Sequence, residues 1–525
     1  MAILQCCLRQ RNSLFEVDID SCEYAIVTKL YKDKSVSALK ELFDFNKKTL
    51  LLQSVAGRTA WDQEAMMPKK SASLRSQEMG ALEEIIHTRK QDKRIGEWLD
   101  KARPETDEDK RKVELIKRGF ERANLVPVKL ATELAEVSSE AQIIWQKARQ
   151  ENSFSEFAPS LKKVVNLKRE EASHLTKTGD LYDGLINDYE YGMTKSEVSE
   201  IFDKMKPKLI NLKKKIGESE VEVSRINGDF DTSKQLTLSK EIARVFHYDF
   251  DRGRIDTVTH PFCSGNGDDV RVTTRTDLKD PFNCIYSTIH EVGHASYEQN
   301  INSSYNLTPL GSGVSLGIHE SQSRIFENQL GRSRAFTKWL FKRMKENFSN
   351  FDIKNEEDFY RIVNKVSPGF IRTEADEIHY NLHIMLRFEL EIGIISKEIE
   401  VEDLVDAWNS KFMSFFDKEV KNVSDGVLQD VHWSLGAFGY FPTYTLGNLN
   451  AGCLFETMQN ELPNLENDLE NGEIGPAKNW LTEKIHQYGS MYEPKDLIKK
   501  ATGKEFSVEP LINYLEKKFT DLYFH

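Results

Sequence analysis

The 525-residue sequence predicts a mainly α-helical protein with one small β-sheet. Only 14 prolines punctuate it, and the runs between them are rich in Leu, Ile, Glu and Lys, residues that suit helices. Strict period-two alternation stands out at residues 269–275. There Val270, Val272 and Thr274 fall on one face, and Asp269, Arg271, Thr273 and Arg275 on the other. No internal repeat or low-complexity linker divides the chain. Residues 36–525 therefore read as a single body, and residues 1–35 as an extension without an assignment.

In chain order, Leu39, Leu42, Phe43, Leu50 and Leu51 give residues 36–60 an apolar repeat suited to an amphipathic helix. A dense knot follows, from Trp61-Asp62-Gln63-Glu64 to Met67-Pro68. Charged helical stretches at 71–103, 106–124, 127–151 and 156–176 suit a layer or lid with solvated faces. Helices also fit 194–217 and 236–246. Residues 250–277 break the pattern as a short strand pair around a Ser-Gly-Asn-Gly-Asp turn. Helix resumes at 281–299, 315–346, 356–366, 370–399, 402–420 and most of 449–525.

Composition narrows the function classes. A 39% hydrophobic and 30% charged chain describes a soluble globular protein, and no apolar run approaches the roughly 20 residues a bilayer requires. The first residues, Met1 to Arg11, place no basic stretch ahead of an apolar one, so a cytoplasmic location is expected. A formal charge of −12 argues against a general nucleic-acid binder. Cys6, Cys7, Cys22, Cys263, Cys284 and Cys453 form no C-x-x-C pair and read as free thiols in a reducing compartment. Sequons at Asn302, Asn306, Asn347 and Asn422 read as coincidental in that setting.

The chemical signal lies in His290-Glu291-Val292-Gly293-His294. Residues four apart share one helix face, so both imidazoles are placed to hold a divalent metal. Glu291 is rotated one position away, where it meets the water that such a metal activates. A catalytic zinc needs a third protein ligand. His319-Glu320-Ser321-Gln322-Ser323-Arg324 offers one beyond a Gly/Ser/Asn-rich loop that permits a helix reversal. Adjacent helical positions point about 100° apart, so one of His319 and Glu320 faces the metal, and Glu320 is the choice. Arg324, at i+4, either orients that carboxylate or forms an ordinary helix ion pair.

Two further clusters stand out. His379 and His383 repeat the i, i+4 spacing but put Tyr380 where a general base belongs, which suits an active-site wall or a packed helix face. Arg372 and Asp376, also four apart, read as a structural ion pair. Between Gly426 and Tyr444 glycines and aromatics crowd together with His432; His and Tyr in such a loop suit donation to a developing oxyanion.

These pieces together resemble the carboxypeptidase Taq family of metallocarboxypeptidases (M32). The likeness rests on His290-Glu291-Val292-Gly293-His294, His319-Glu320-Ser321-Gln322-Ser323-Arg324, Asp269-x-Arg271-x-Thr273, Ile371-Arg372-Thr373-x-Ala375-Asp376 and Gly426-x-x-Gln429-Asp430-x-His432-Trp433. Trp61-Asp62-Gln63-Glu64 through Met67-Pro68 also matches the family's N-terminal motif. The likeness covers about residues 36–525. It implies a helical fold with a deep groove, a few strands near the metal, and commonly a homodimer. It also implies single-residue removal from free C-termini, broad in specificity and poor on proline. By motif position His290, His294 and Glu320 are the metal ligands and Glu291 the general base. His379 departs from the pattern, which has a small or β-branched residue there.

The expected cofactor is Zn2+, with Co2+ as a substitute, and the expected partners are peptides with a free terminal carboxylate. Glu291 takes a proton from the attacking water and passes it to the leaving amine. His432, with Tyr440 or Tyr444, is the candidate oxyanion donor. His260 is a candidate for the substrate carbonyl. Arg372 and Arg271, with Arg324 third, are candidates for the terminal carboxylate. The strand face bearing Asp269, Arg271 and Thr273 is expected to pair with extended substrate. Two alternatives differ in class: an oligopeptidase that cuts internal bonds, and a non-catalytic helical protein that keeps its metal for structure.

Overall fold

The computed structural model describes residues 19–224 and 226–524, so residues 1–18 of the predicted extension lie outside the described residues. Helix α1 (Ile19–Ala65) runs through residue 36 without a break. It is followed by α2 (Ala72–Lys90), α3 (Lys93–Lys101), α4 (Asp107–Leu125), α5 (Val128–Gln150) and α6 (Phe154–Leu175). Leu42 of α1 is buried against Ile95 of α3 and Ile116 of α4 in a small satellite cluster, whereas Leu51 and Val55 remain exposed. Arg89 of α2 fastens this layer, donating to Thr49 Oγ1 and Phe45 O while its guanidinium lies 3.9 Å from the Phe45 ring centre.

The next elements are α7 (Leu181–Ile186), α8 (Lys195–Gly217) and α9 (Thr232–Val245). A full capping box starts α8: the Thr194 hydroxyl accepts from Glu197 N, and the Glu197 carboxylate accepts from Thr194 N. The sheet then forms from β1 (Ile255–Thr257), β2 (Cys263–Asn266) and β3 (Asp269–Thr274), in the order β1-β3-β2. The predicted strand pair is therefore three-stranded. β2 returns antiparallel through the turn at Gly267, and β1 adds itself parallel to the far edge of β3 with Ile255 opposite Val272. Val270, Val272 and Thr274 are fully buried, as their alternation predicts.

Helix α10 (Pro281–Gln299) begins at Asp280, whose carboxylate accepts from Phe282 N, with proline in the first turn. The predicted helix 315–346 is three pieces: α11 (Leu316–Arg324), a π-helical segment (Ile325–Gly331) and α12 (Arg334–Asn347). After α13 (Glu356–Val363), the predicted helix 370–399 is likewise divided. Residues Arg372–Glu374 form a 3-10 turn, and α14 (Glu377–Ser396) starts afresh at Asp376. Asp376 accepts from Ile378 N and His379 N. Arg372 and Asp376 thus do not share a helical face, and the i, i+4 ion pair expected of them is not formed. The remaining helices are α15 (Leu404–Phe416), α16 (Pro442–Glu461), α17 (Leu465–Glu470), α18 (Gly475–Lys484), α19 (Pro494–Thr502) and α20 (Glu509–Phe524).

Two large apolar cores organise these helices. One gathers α5 to α8, α14, α15 and much of α20. The other gathers α9, the sheet, α10 to α13 and α17 to α19. Helix α16 serves both, giving Leu446 and Leu449 to the first and Ala451, Leu454 and Met458 to the second. The fold is mainly α with a small sheet against α10, as predicted. Among the described residues no helix is long and apolar enough to cross a membrane.

Candidate metal centre and its surroundings

Three helices converge at the centre, and glycines set their spacing. A Cβ on Gly293 of α10 would lie 2.5 Å from Gln322 O of α11, and a Cβ on Gly447 of α16 would lie 2.5 Å from Glu320 Cγ. Only hydrogens at these positions let α10 and α16 close on α11 from two sides. Glu320 is thereby carried to the histidine face of α10. His290 Nε2 stands 3.7 Å and His294 Nε2 3.3 Å from the same oxygen, Glu320 Oε2, and the three donor atoms lie within 4.8 Å of one another. Ligands 2.0–2.2 Å from one tetrahedral ion stand about 3.3–3.6 Å apart, so the donor set fits a metal of that kind.

The outer nitrogens strengthen the fit. His290 Nδ1 lies 2.9 Å from Glu327 Oε2. His294 Nδ1 lies 2.6 Å from His319 Nδ1, and His319 Nε2 lies 3.0 Å from Glu298 Oε1. Both ligand rings are thus held at Nδ1, leaving Nε2 for the metal. Burial pushes His294 down to about 3, so it is neutral. Burial also opposes charge on His290, but Glu320 and Glu327 outweigh it and raise its pKa; Burial would lift Glu320 as well, yet Arg324 and His290 hold its carboxyl well below the usual range. Arg324 Nε donates to Glu320 Oε1 at 2.6 Å, and Arg324 also reaches Glu327 at 3.3 Å. Its predicted role in orienting the ligand carboxylate matches this geometry. Glu291 is 7% exposed, and burial, aided by Glu320 and Glu327 against the pull of His290, raises its carboxyl to about 7.

A polar chain runs outward from Arg324. Its guanidinium lies 4.1 Å from the centre of the Tyr380 ring, and the Tyr380 hydroxyl accepts from Arg372. Arg372 in turn donates through two nitrogens to Asp430 Oδ1, and Arg387 donates to Asp430 Oδ2 at 2.7 Å. The ring of Tyr444 lies 4.8 Å from Arg372, and its hydroxyl is 3.2 Å from His432 Nε2. His432 and Tyr440 pack ring to ring at 5.2 Å. Tyr444 sits one turn before Gly447 on α16, so His432, Tyr440 and Tyr444 are brought to the Glu320 side of the molecule. Burial drives His432 to about 3 despite Asp430, which makes it a neutral ring.

The other predicted substrate contacts are placed differently. Thr273 is fully buried, its hydroxyl donating to Phe262 O and accepting from Phe262 N. It is closed to substrate because residue 262 folds over the outer face of β3. Arg271 forms a two-nitrogen fork with Asp269 and covers the ring of Trp61 at 4.5 Å, so this pair docks α1 on the sheet. His260 is exposed in the loop after β1. Both members of the rival pair are buried, His379 bound to Asp376 and His383 to Gly369 O, in keeping with a packed helix face. Glu298, Glu327 and the part played by His319 escaped sequence reasoning. Signals existed, since Glu298 is four residues after His294 and Glu327 seven after Glu320.

Comparison with known proteins agrees with this geometry. The profile of the carboxypeptidase Taq (M32) metallopeptidases matches residues 41–519. Thermostable carboxypeptidase 1 of Thermus thermophilus is 40% identical over 93% of this chain and 99% of its own length. Carboxypeptidase 1 of Bacillus subtilis is 37% identical over 92% and 98%. The crystal structure of the M32 carboxypeptidase from Deinococcus radiodurans R1 superposes with a TM-score of 0.90 at 34% identity, covering 93% of this chain and all of that one. With a metal-ligand triad of matching chemistry at the junction of its two cores, this chain belongs to the carboxypeptidase Taq (M32) family of metallopeptidases.

Proposed function

We propose that this chain is a zinc-dependent carboxypeptidase that releases single residues from free C-termini, with broad specificity and poor action on proline. The convergence of His290, His294 and Glu320, each fixed from behind, carries the metal half of this conclusion. Membership of the family supports the exopeptidase half. A divalent ion there, zinc with cobalt as a substitute, supplies Lewis-acid chemistry that acidifies water and polarises a carbonyl. Glu291 accepts the proton released as water attacks the scissile carbon and delivers it to the leaving nitrogen, so one water is added across the C–N bond. Its buried carboxyl is poised near neutrality for both halves of that transfer.

Tyr440 and Tyr444 have phenols that burial keeps protonated, and together with neutral His432 they are the donors proposed for the developing oxyanion. Arg372 is the proposed anchor for the terminal carboxylate, supported by its link through Tyr380 to Arg324 and Glu320. His260, from its exposed loop, is assigned to a substrate carbonyl. A homodimer is proposed from family likeness. A cytoplasmic setting is supported by the free thiols of Cys263, Cys284 and Cys453.

One observation favours a second reading. Arg271, Arg324 and Arg372 are each already paired with a carboxylate, which suits an oligopeptidase that needs no clamp for a chain end. Mass spectrometry of one peptide, free or amidated at its C-terminus, with and without a chelator, separates the two. Stepwise loss of single residues, slowed by amidation and abolished by the chelator, is the expected result. Internal cuts, or equal rates on both peptides, would establish the oligopeptidase instead.

A further inference from the structure

Glu391 on α14 is fully buried, yet it meets three donors and is paired with no cation. The Tyr182 hydroxyl donates to Oε2 at 2.7 Å, Gly439 N donates to Oε2 at 3.0 Å, and Trp433 Nε1 donates to Oε1 at 3.0 Å. Arg387, the nearest guanidinium on the same helix, is committed to Asp430. Burying a carboxylate is costly without such hydrogen bonds. Even with them, burial raises the Glu391 carboxyl to about 7. A hydrophobic residue would fill this volume at lower cost, so the position of the three donors is what the carboxylate serves.

Two of those donors belong to the glycine- and aromatic-rich loop, and the residues just outside them are the proposed oxyanion donors. Trp433 follows His432, and Gly439 precedes Tyr440. Each carboxylate oxygen holds one end of the turn 433–439. Gly436 and Gly439 bend it with φ of +70° and +86°, and the Trp433 and Phe438 rings stack within it at 8°. Gly439 is seated against α7 so closely that a Cβ would lie 2.8 Å from Ile186 N. The result is the 5.2 Å ring contact between His432 and Tyr440.

We propose that Glu391 is a positioning residue for the reaction, a carboxylate staple that sets the separation of His432 and Tyr440. This rests on the carboxypeptidase reading above. Glutamine cannot reproduce the staple, because its NH2 would face a donor already in place. Glu391→Gln is therefore expected to lower kcat by about tenfold to a hundredfold, the range for a small misplacement of reacting groups. KM and metal content should stay within about twofold, since neither the ligand triad nor Arg372 touches Glu391. Tyr182→Phe removes the one donor outside the loop and should cost under about threefold in kcat. Hydrogen exchange should rise in Glu391→Gln over residues 426–441 and stay unchanged over α10 and α11. Glu391→Asp should recover part of the lost kcat.

Full kcat in Glu391→Gln would overturn the proposal. So would losses in Glu391→Gln and Tyr182→Phe that simply follow their melting temperatures. Hydrogen exchange judges the staple apart from catalysis. Wild-type protein that removes no C-terminal residue refutes the functional reading. A Gly439 amide that exchanges freely in the wild type refutes the staple itself.

Discussion

The Nδ1 atoms of His294 and His319 stand 2.6 Å apart, with Glu298 behind them. His319 Nε2–H donates to the Glu298 carboxylate, so His319 Nδ1 is the bare nitrogen and accepts from His294 Nδ1–H. His294 consequently turns an unprotonated Nε2 toward Glu320. His319→Ala removes the acceptor and lets the ligand ring turn and change tautomer. Metal affinity should fall by about 10–100-fold in a chelator competition, while far-UV circular dichroism stays as in the wild type. Unchanged affinity would reduce His319 to packing.

Glu291→Gln keeps the whole ligand triad and removes only the proton acceptor. It should bind metal at wild-type stoichiometry and hydrolyse peptides about 10²–10⁴-fold more slowly. Metal analysis and a turnover assay on the same sample check both halves. Turnover within a few-fold of wild type would exclude Glu291 from the proton transfer.

Gly447→Ala tests whether the third ligand depends on helix spacing. The new Cβ would lie 2.5 and 2.6 Å from Glu320 Cγ and Cβ, atoms close to the backbone that cannot swing aside. Overpacking of this kind costs about 1–3 kcal/mol. It should appear as a lower melting temperature together with weaker metal binding. A variant that loses stability but binds metal as before would separate the glycine from the ligand.

Asp430→Asn would leave Arg372 and Arg387 buried without a counter-charge. Loss of one partner of a buried ion pair costs about 3–5 kcal/mol, measurable by denaturant unfolding at neutral pH. Burial works against ionisation of Asp430, but Arg372 and Arg387 outweigh it and hold its carboxyl far below its ordinary 3.8. A depressed folded pKa gives stability that is present above pH 3.8 and drains away as pH falls below it. The wild type should therefore lose its advantage over Asp430→Asn in acid, and a constant difference across that range would contradict the assignment.

The helical class, the two histidines and the adjacent glutamate were legible because they are local. Helix needs only a run of suitable residues, and the i, i+4 spacing puts His290 and His294 on one face wherever the helix lies. Glu320 was legible as well, since a carboxylate beyond a reversing loop meets the need for a third ligand. The partners of these residues were harder to see. His319 and Glu320 point apart on one helix, and choosing one as ligand hid the other's role behind His294. The break at Asp376 was missed because a cap and an ion-pair partner are the same residue type in sequence.

What the sequence alone determined is the chemistry available: a metal triad, a general base, and a loop of imidazole and phenol groups. Tertiary structure alone decided which arginines are engaged, that Thr273 is sealed under residue 262, and that Glu327, Glu298 and Glu391 hold the working groups in place. Those contacts join elements far apart along the chain, from α7 to the 433–439 turn and from α11 to α16. They depend on close approaches at Gly293, Gly439 and Gly447, where a single Cβ would keep the helices apart. Such spacing is a property of packed surfaces, and residue order carries it only as an unexplained glycine.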